Sequence, residues 1–290
     1  MVSVGILVLI SYHLKYENLL IAARQLDLWL LVFTAGLTVV GIFLQSLKWK
    51  LFLAHCQPVC SLWKSMESVL LGMALGLFTP GRLGEIGRGF AFGSNRAITV
   101  MFAGFDRLIS VFCGLIFSIF CVCKSDLLKV DLILIGSIFF ILILILFLFS
   151  RGFLVKRYSI VSRFINQSGL ITSKEYFFIF LYSLVFNVVF YFQFFLLVGE
   201  HYKWDLNIFT LIPIIYTVKS FLPISVGDLG IREGVAILLF SQCGLDPEPA
   251  FNASLGIFTL NVLIPAICGW LWCGGRTITL QLAEVKKGIK

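Results

Sequence analysis

The sequence predicts an all-α polytopic membrane protein with about six full crossings and two broken, re-entrant-type hairpins arranged as an inverted repeat. Three observations predict it. Hydrophobic residues make up 59% of the 290 and charged residues only 13%, with a mean hydropathy of +1.00, which no soluble fold shares. Apolar runs approaching the ~20 residues that cross a hydrocarbon layer recur along the chain, and they lack the alternation of barrel strands. Two short Pro-Gly segments carrying charges interrupt such runs, one in each half of the chain. The whole chain, 1–290, reads as one membrane domain with repeat halves of about 1–130 and 131–290.

Taken in order, Val2–Tyr12 is apolar but short, with no basic residue before it and no small-residue cleavage site after it, so it reads as a short or truncated first helix. Leu28 to about Leu47 is a full crossing, ended by Lys48 and Lys50. Val69–Thr79 is too short to span and runs into the first Pro-Gly segment, with Ile86–Phe92 after it. Ile98–Cys123 crosses and carries Asp106 and Arg107 near its start. Leu132–Phe149 and Phe177–Gly199 are two further crossings. Ile208–Ser220 and Val235–Phe240 flank the second Pro-Gly segment, and Phe251–Trp272 is the last crossing.

The second segment, Phe221-Leu-Pro223-Ile-Ser-Val-Gly227-Asp228-Leu-Gly230-Ile-Arg232-Glu233-Gly234, is the centre of the pattern. Pro223 removes a backbone donor, and the three glycines after it loosen the backbone. A charge at the bilayer centre costs roughly 2.5–3.5 kcal/mol on insertion scales, so three together call for a function or for a surface loop. The first segment favours function, because Phe78-Thr-Pro80-Gly-Arg82-Leu-Gly84-Glu85-Ile-Gly87-Arg88 repeats it. Phe78 aligns with Phe221, Pro80 with Pro223, Gly84 with Gly227, Glu85 with Asp228 and Gly87 with Gly230. An arginine comes within two residues of the last glycine in each copy (Arg88, Arg232).

Orientation follows from the basic residues. Arg151–Lys174 holds Arg151, Lys156, Arg157, Arg163 and Lys174 with no acidic residue, so it is expected in the cytoplasm. The tail with Arg276, Lys286, Lys287 and Lys290 is expected there too, as is the N-terminus. Glu200–Asp205 and Gln242–Pro249 then lie outside, and the two hairpins enter from opposite faces.

These motifs resemble one integral-membrane family, the lysylphosphatidylglycerol synthase transmembrane region, also called the flippase-like domain family. The resemblance runs over essentially the whole chain, and the second motif is the more specific. It implies a protein of the cell membrane, a prokaryotic cytoplasmic (inner) membrane, that moves anionic or polyprenyl-linked lipids between leaflets. It also implies partners among glycosyltransferases or lipid-modifying enzymes. Where the family often has Glu-Arg after the first motif, this chain has Asp106-Arg107, a shorter acid. The chain after Trp272 is a short tail, too little for a soluble transferase domain, so no synthase activity is expected.

The expected function is therefore lipid translocation. Arg82, Arg88 and Arg232 would bind a phosphate, while Glu85, Asp228 and Glu233 would hold them when it is absent. Asp106 and Arg107 are secondary candidates. Alternatives are a carrier of a small soluble anion, or a non-transporting subunit that assists a glycosyltransferase or lipid-modifying enzyme. An intramembrane enzyme is disfavoured because no nucleophile or catalytic motif is present. No cofactor, metal site or nucleic-acid partner is expected. His13, His55 and His201 are scattered, and the eight cysteines form no Cys-x-x-Cys.

Overall fold

The computed structural model describes residues 28–56, 60–91, 96–124, 159–199, 201–222, 225 and 227–272. The expected helix Val2–Tyr12, the crossing Leu132–Phe149, Pro223, the basic residues Arg151, Lys156 and Arg157, and the tail all lie outside them. Every regular element among the described residues is helical.

Helix α1, Leu28–Ala54, has 27 residues, about 40 Å of rise, which exceeds the hydrocarbon thickness. It does not stop at Lys48 as expected. The Lys48 amine meets Asp106 Oδ1 at 2.9 Å and donates to Ser110 Oγ at 2.7 Å, so the lysine turns inward and the helix continues. Hydroxyls of Thr34, Thr38 and Ser46 donate to carbonyls four residues back, which satisfies them in an apolar setting.

Helix α2, Leu62–Leu77, starts at the Ser61 cap, whose Oγ accepts from the Lys64 N–H at 3.3 Å. Its 16 residues rise about 24 Å, short of a full crossing. The chain turns at Pro80–Arg82 and returns as a 3-10 helix, Leu83–Ala91, packed along α2. That packing requires Gly84, because a Cβ there would overlap the Leu75 carbonyl.

Helix α3, Arg96–Lys124, crosses with 29 residues. The short helix α4, Ser159–Ser168, precedes α5, Ser173–Gly199. A capping box opens α5: Thr172 N–H donates to Glu175 Oε2 at 2.7 Å and the Glu175 N–H to Thr172 Oγ1 at 3.3 Å. Helix α6, Leu206–Phe221, is capped by Asp205. It leads through the second motif into α7, Ile231–Gln242. Helix α8, Pro247–Trp272, closes the described chain and contains a π-helical turn at Thr259–Leu263.

Four helices among the described residues, α1, α3, α5 and α8, are long and apolar enough to cross a membrane. Their outward faces carry large exposed apolar side chains such as Trp29, Val39, Phe120 and Trp270, the arrangement expected where lipid is the solvent. Inside are two apolar clusters. One is built on Trp49, Phe52, Met73 and Phe102, and the other on Phe194, Ile214, Tyr216 and Phe240.

Candidate functional site: a cationic cavity where two hairpins meet

The two Pro-Gly segments touch. Gly81 donates its N–H to the Ser225 carbonyl at 2.9 Å, and Gly227 donates to the Thr79 carbonyl at 3.2 Å. Each tip contains a left-handed pair, Gly81–Arg82 (φ 56° for both) and Gly227–Asp228 (φ 65° for both). The sequence alignment set Gly84 against Gly227, whereas the backbone gives the matching conformation to Gly81 and Gly227. The returns differ as well, a 3-10 helix in the first copy and an α-helix in the second.

Arg82 is held in a conformation that costs a non-glycine residue roughly 1–2 kcal/mol. Arg107 supports it from α3, donating Nη1 to the Arg82 carbonyl at 2.8 Å and Nη2 to the Gly81 carbonyl. Glu85 ties both arginines together, pairing with Arg82 and meeting Arg107 Nη1 at 3.2 Å. Arg88 pairs with Asp106 and lies over the Trp49 ring at 4.2 Å. Its carbonyl accepts from Ser68 Oγ at 2.9 Å, and Ser68 in turn accepts from Trp49 Nε1 at 3.0 Å. Asp106 is therefore shared by Arg88 and Lys48. From the second hairpin, Asp228 pairs with Lys219 of α6 at 2.6 Å.

These groups line a cavity of about 160 Å³. Lys48, Arg82, Arg88, Arg107 and Lys219 face it against Glu85, Asp106 and Asp228, five cations to three carboxylates. Ser110, Asn187 and Tyr191 add uncharged polar groups, and Phe186 and Phe190 of α5 add an apolar wall. Asn187 Nδ2 donates to the Ser183 carbonyl at 2.8 Å and the Tyr191 hydroxyl to Asn187 Oδ1 at 3.2 Å. A smaller recess of about 30 Å³ adjoins, sharing Gln45, Arg82, Phe186 and Phe190. There Gln193 and Asn261 bond reciprocally through their amides. Asn261 sits in the π-helical turn of α8, a feature that often marks functional positions.

Of the residues singled out in the sequence, Arg82, Glu85, Arg88, Asp228, Asp106 and Arg107 are brought together on this cavity. Arg232 and Glu233 are not. Arg232 Nη2 meets Glu233 Oε1 at 2.6 Å, its Nε donates to Ser254 Oγ at 2.7 Å, and Ser254 donates to Glu233 Oε1 at 2.9 Å. Glu233 Oε2 also accepts the Gly230 N–H at 2.6 Å, so this pair braces the start of α7 against α8. Gly87 packs against Leu75, and the Gly234 N–H donates to the Gly230 carbonyl at 2.9 Å. Pro80 lies exposed at the first turn.

Sequence reasoning missed Lys48 and Lys219. Lys48 is only 2% exposed. A lysine close to the end of an apolar run reads as a membrane-surface marker, and only the position of Asp106 shows otherwise. For Lys219 a signal existed, since it is a charge inside the largely apolar run Ile208–Ser220, nine residues before Asp228. Among the described residues no group of three or more His, Cys, Asp or Glu side chains is placed to hold a metal ion.

Neither a curated protein nor a solved structure matches the chain. A family model does. The model described as the lysylphosphatidylglycerol synthase TM region covers residues 1–269, and with them both motif segments and the cavity between them. By that match over most of its length, this chain belongs to the lysylphosphatidylglycerol synthase TM region family.

Proposed function

We propose that the protein translocates a lipid with an anionic headgroup, an anionic phospholipid or a polyprenyl-phosphate-linked lipid, between the leaflets of a prokaryotic cytoplasmic membrane. The observation that carries this reading is the excess of cations in a cavity lined by two touching hairpins and by α1, α3 and α5. Ionisable groups at membrane depth are costly and mark substrate paths by default. Arginines suit a phosphate because their planar fork engages two oxygens at once. Glu85, Asp106 and Asp228 hold the cations in place, so an arriving phosphate would meet donors that are already positioned. The acyl chains would stay in the bilayer while the headgroup passes.

Alternating access would follow from an inverted repeat with six crossings and both termini in the cytoplasm. The two halves would then rock about the contact between the hairpin tips. No chemical step is proposed. A glycosyltransferase or lipid-modifying enzyme acting on the same lipid is the proposed partner.

A carrier of a small soluble anion is the second reading, favoured by the modest cavity volume of about 160 Å³. Purified protein in vesicles bearing a headgroup-labelled anionic lipid in one leaflet tests the first. Equilibration faster than in protein-free vesicles supports it, and equal rates contradict it.

A further inference from the structure

The cations of the cavity are not distributed evenly. On the second hairpin each is matched one to one, Lys219 by Asp228 and the neighbouring Arg232 by Glu233. On the side of the first hairpin, where α1 adds Lys48 and α3 adds Asp106 and Arg107, each carboxylate serves two: Glu85 is shared by Arg82 and Arg107, and Asp106 by Lys48 and Arg88. The whole excess of two positive charges therefore lies on the first-hairpin side, one for each shared carboxylate.

The donors repeat that pattern. Both Arg82 Nε and Arg88 Nε are buried and have no hydrogen-bond partner among the described residues. Arg88 is only 6% exposed, so water is a poor substitute there. Each guanidinium has committed a terminal nitrogen to its carboxylate, while its buried Nε–H is left without a partner. A buried donor left unmade is costly, and so is a buried charge left uncompensated. Two such donors on the first hairpin, with two excess charges among the cations grouped around Glu85 and Asp106, mark a site that its own carboxylates do not balance.

We propose that the anion taken by this cavity is a dianion, a phosphate monoester or diphosphate group, which contacts the Nε edges of Arg82 and Arg88. The proposal rests on the lipid-translocation reading and narrows its substrate class. A phosphodiester headgroup, with one negative charge, would leave one of the two excess charges uncompensated. A monoester brings close to two at pH 8, above its second ionisation near pH ~6. Glu85 and Asp106 would keep their cation partners throughout, so binding would need no proton uptake.

Titration of the purified protein in neutral detergent at pH 8 tests this, with short-chain phosphatidate, short-chain phosphatidylglycerol, short-chain phosphatidylcholine and inorganic phosphate as separate probes. The expected result is phosphatidate tighter than phosphatidylglycerol by about tenfold or more, the scale of one added charge pair in a partly screened site. Phosphatidylcholine and inorganic phosphate would be weaker still. In Arg88→Gln, checked for a native elution profile, the preference for phosphatidate should shrink toward parity. Equal affinity for phosphatidate and phosphatidylglycerol would overturn the dianion proposal while leaving an anionic-lipid site standing. Inorganic phosphate binding as tightly as phosphatidate would keep the dianion and overturn the lipid as its source. No binding of any anion would overturn both.

Discussion

Gly81 donates its backbone N–H to the carbonyl oxygen of Ser225 at 2.9 Å, joining two segments that the sequence places in opposite halves of the chain. With the return bond from Gly227 to Thr79, this is a two-bond bridge between hairpin tips. Each bond pairs a backbone donor of one tip with a backbone acceptor of the other, and a buried backbone group left unpaired is costly.

The first prediction tests that contact. In a background stripped of native cysteines, Thr79→Cys with Ser225→Cys should be joined efficiently by a short bifunctional thiol reagent in intact membranes. Each single variant should give no intramolecular product. Absence of the product in the double variant, with both thiols shown to be reactive, would separate the tips.

The second prediction concerns the close packing of the first hairpin. Gly84→Ala should destabilise the protein by about 1–3 kcal/mol through overpacking against the Leu75 carbonyl. Gly104→Ala, with nothing within 4 Å of the added methyl, should be neutral or stabilise by up to ~1 kcal/mol through helix propensity. Unfolding midpoints in detergent measure both. A Gly84→Ala midpoint at or above that of Gly104→Ala would contradict the packing.

Much of this architecture was legible in the residues. The helical membrane class follows from composition, and the interruption of α2 and α7 follows from Pro80 and from the glycines around Asp228. The charge partners were not legible, because pairing depends on which helix faces which. Arg88 and Arg232 follow the last aligned glycine of their motifs by one and two residues, yet Arg88 lies on the cavity while Arg232 is enclosed by Glu233 and Ser254. Lys48 sits where lysines ordinarily reach for the membrane surface, and its burial depends on Asp106 in another helix. The repeat aligned Gly84 with Gly227, but a shared glycine does not fix φ, and Gly81 is the residue that adopts the matching turn.

The third prediction comes from how the carboxylates are shared. Asp106→Asn strands Lys48 and Arg88 together, whereas Asp228→Asn strands only Lys219. Breaking a buried pair costs about 3–5 kcal/mol, so Asp106→Asn should lower the unfolding midpoint more than Asp228→Asn. Adding Lys219→Met to Asp228→Asn should recover part of the loss, since it removes the orphaned charge. A double variant less stable than Asp228→Asn alone would contradict the pairing.

The fourth prediction is topological. Lys174, in the first turn of α5, and Lys203, in the turn beyond its far end, are exposed, and the 27 residues of the helix rise about 40 Å. Lys174→Cys should react with an impermeant thiol reagent only from the cytoplasm and Lys203→Cys only from outside. Labelling of both from one face would rule out α5 as a crossing.

The most direct measurement of the central claim is translocation by a charge-depleted cavity. Arg82→Gln with Arg88→Gln would be purified, shown to keep the elution profile of the parent protein, and placed in vesicles with a headgroup-labelled anionic lipid in one leaflet. If the cavity carries the headgroup, the protein-dependent rate should fall by about tenfold or more, the scale on which charge-assisted contacts act. A double variant that translocates the lipid at the parent rate would contradict the account.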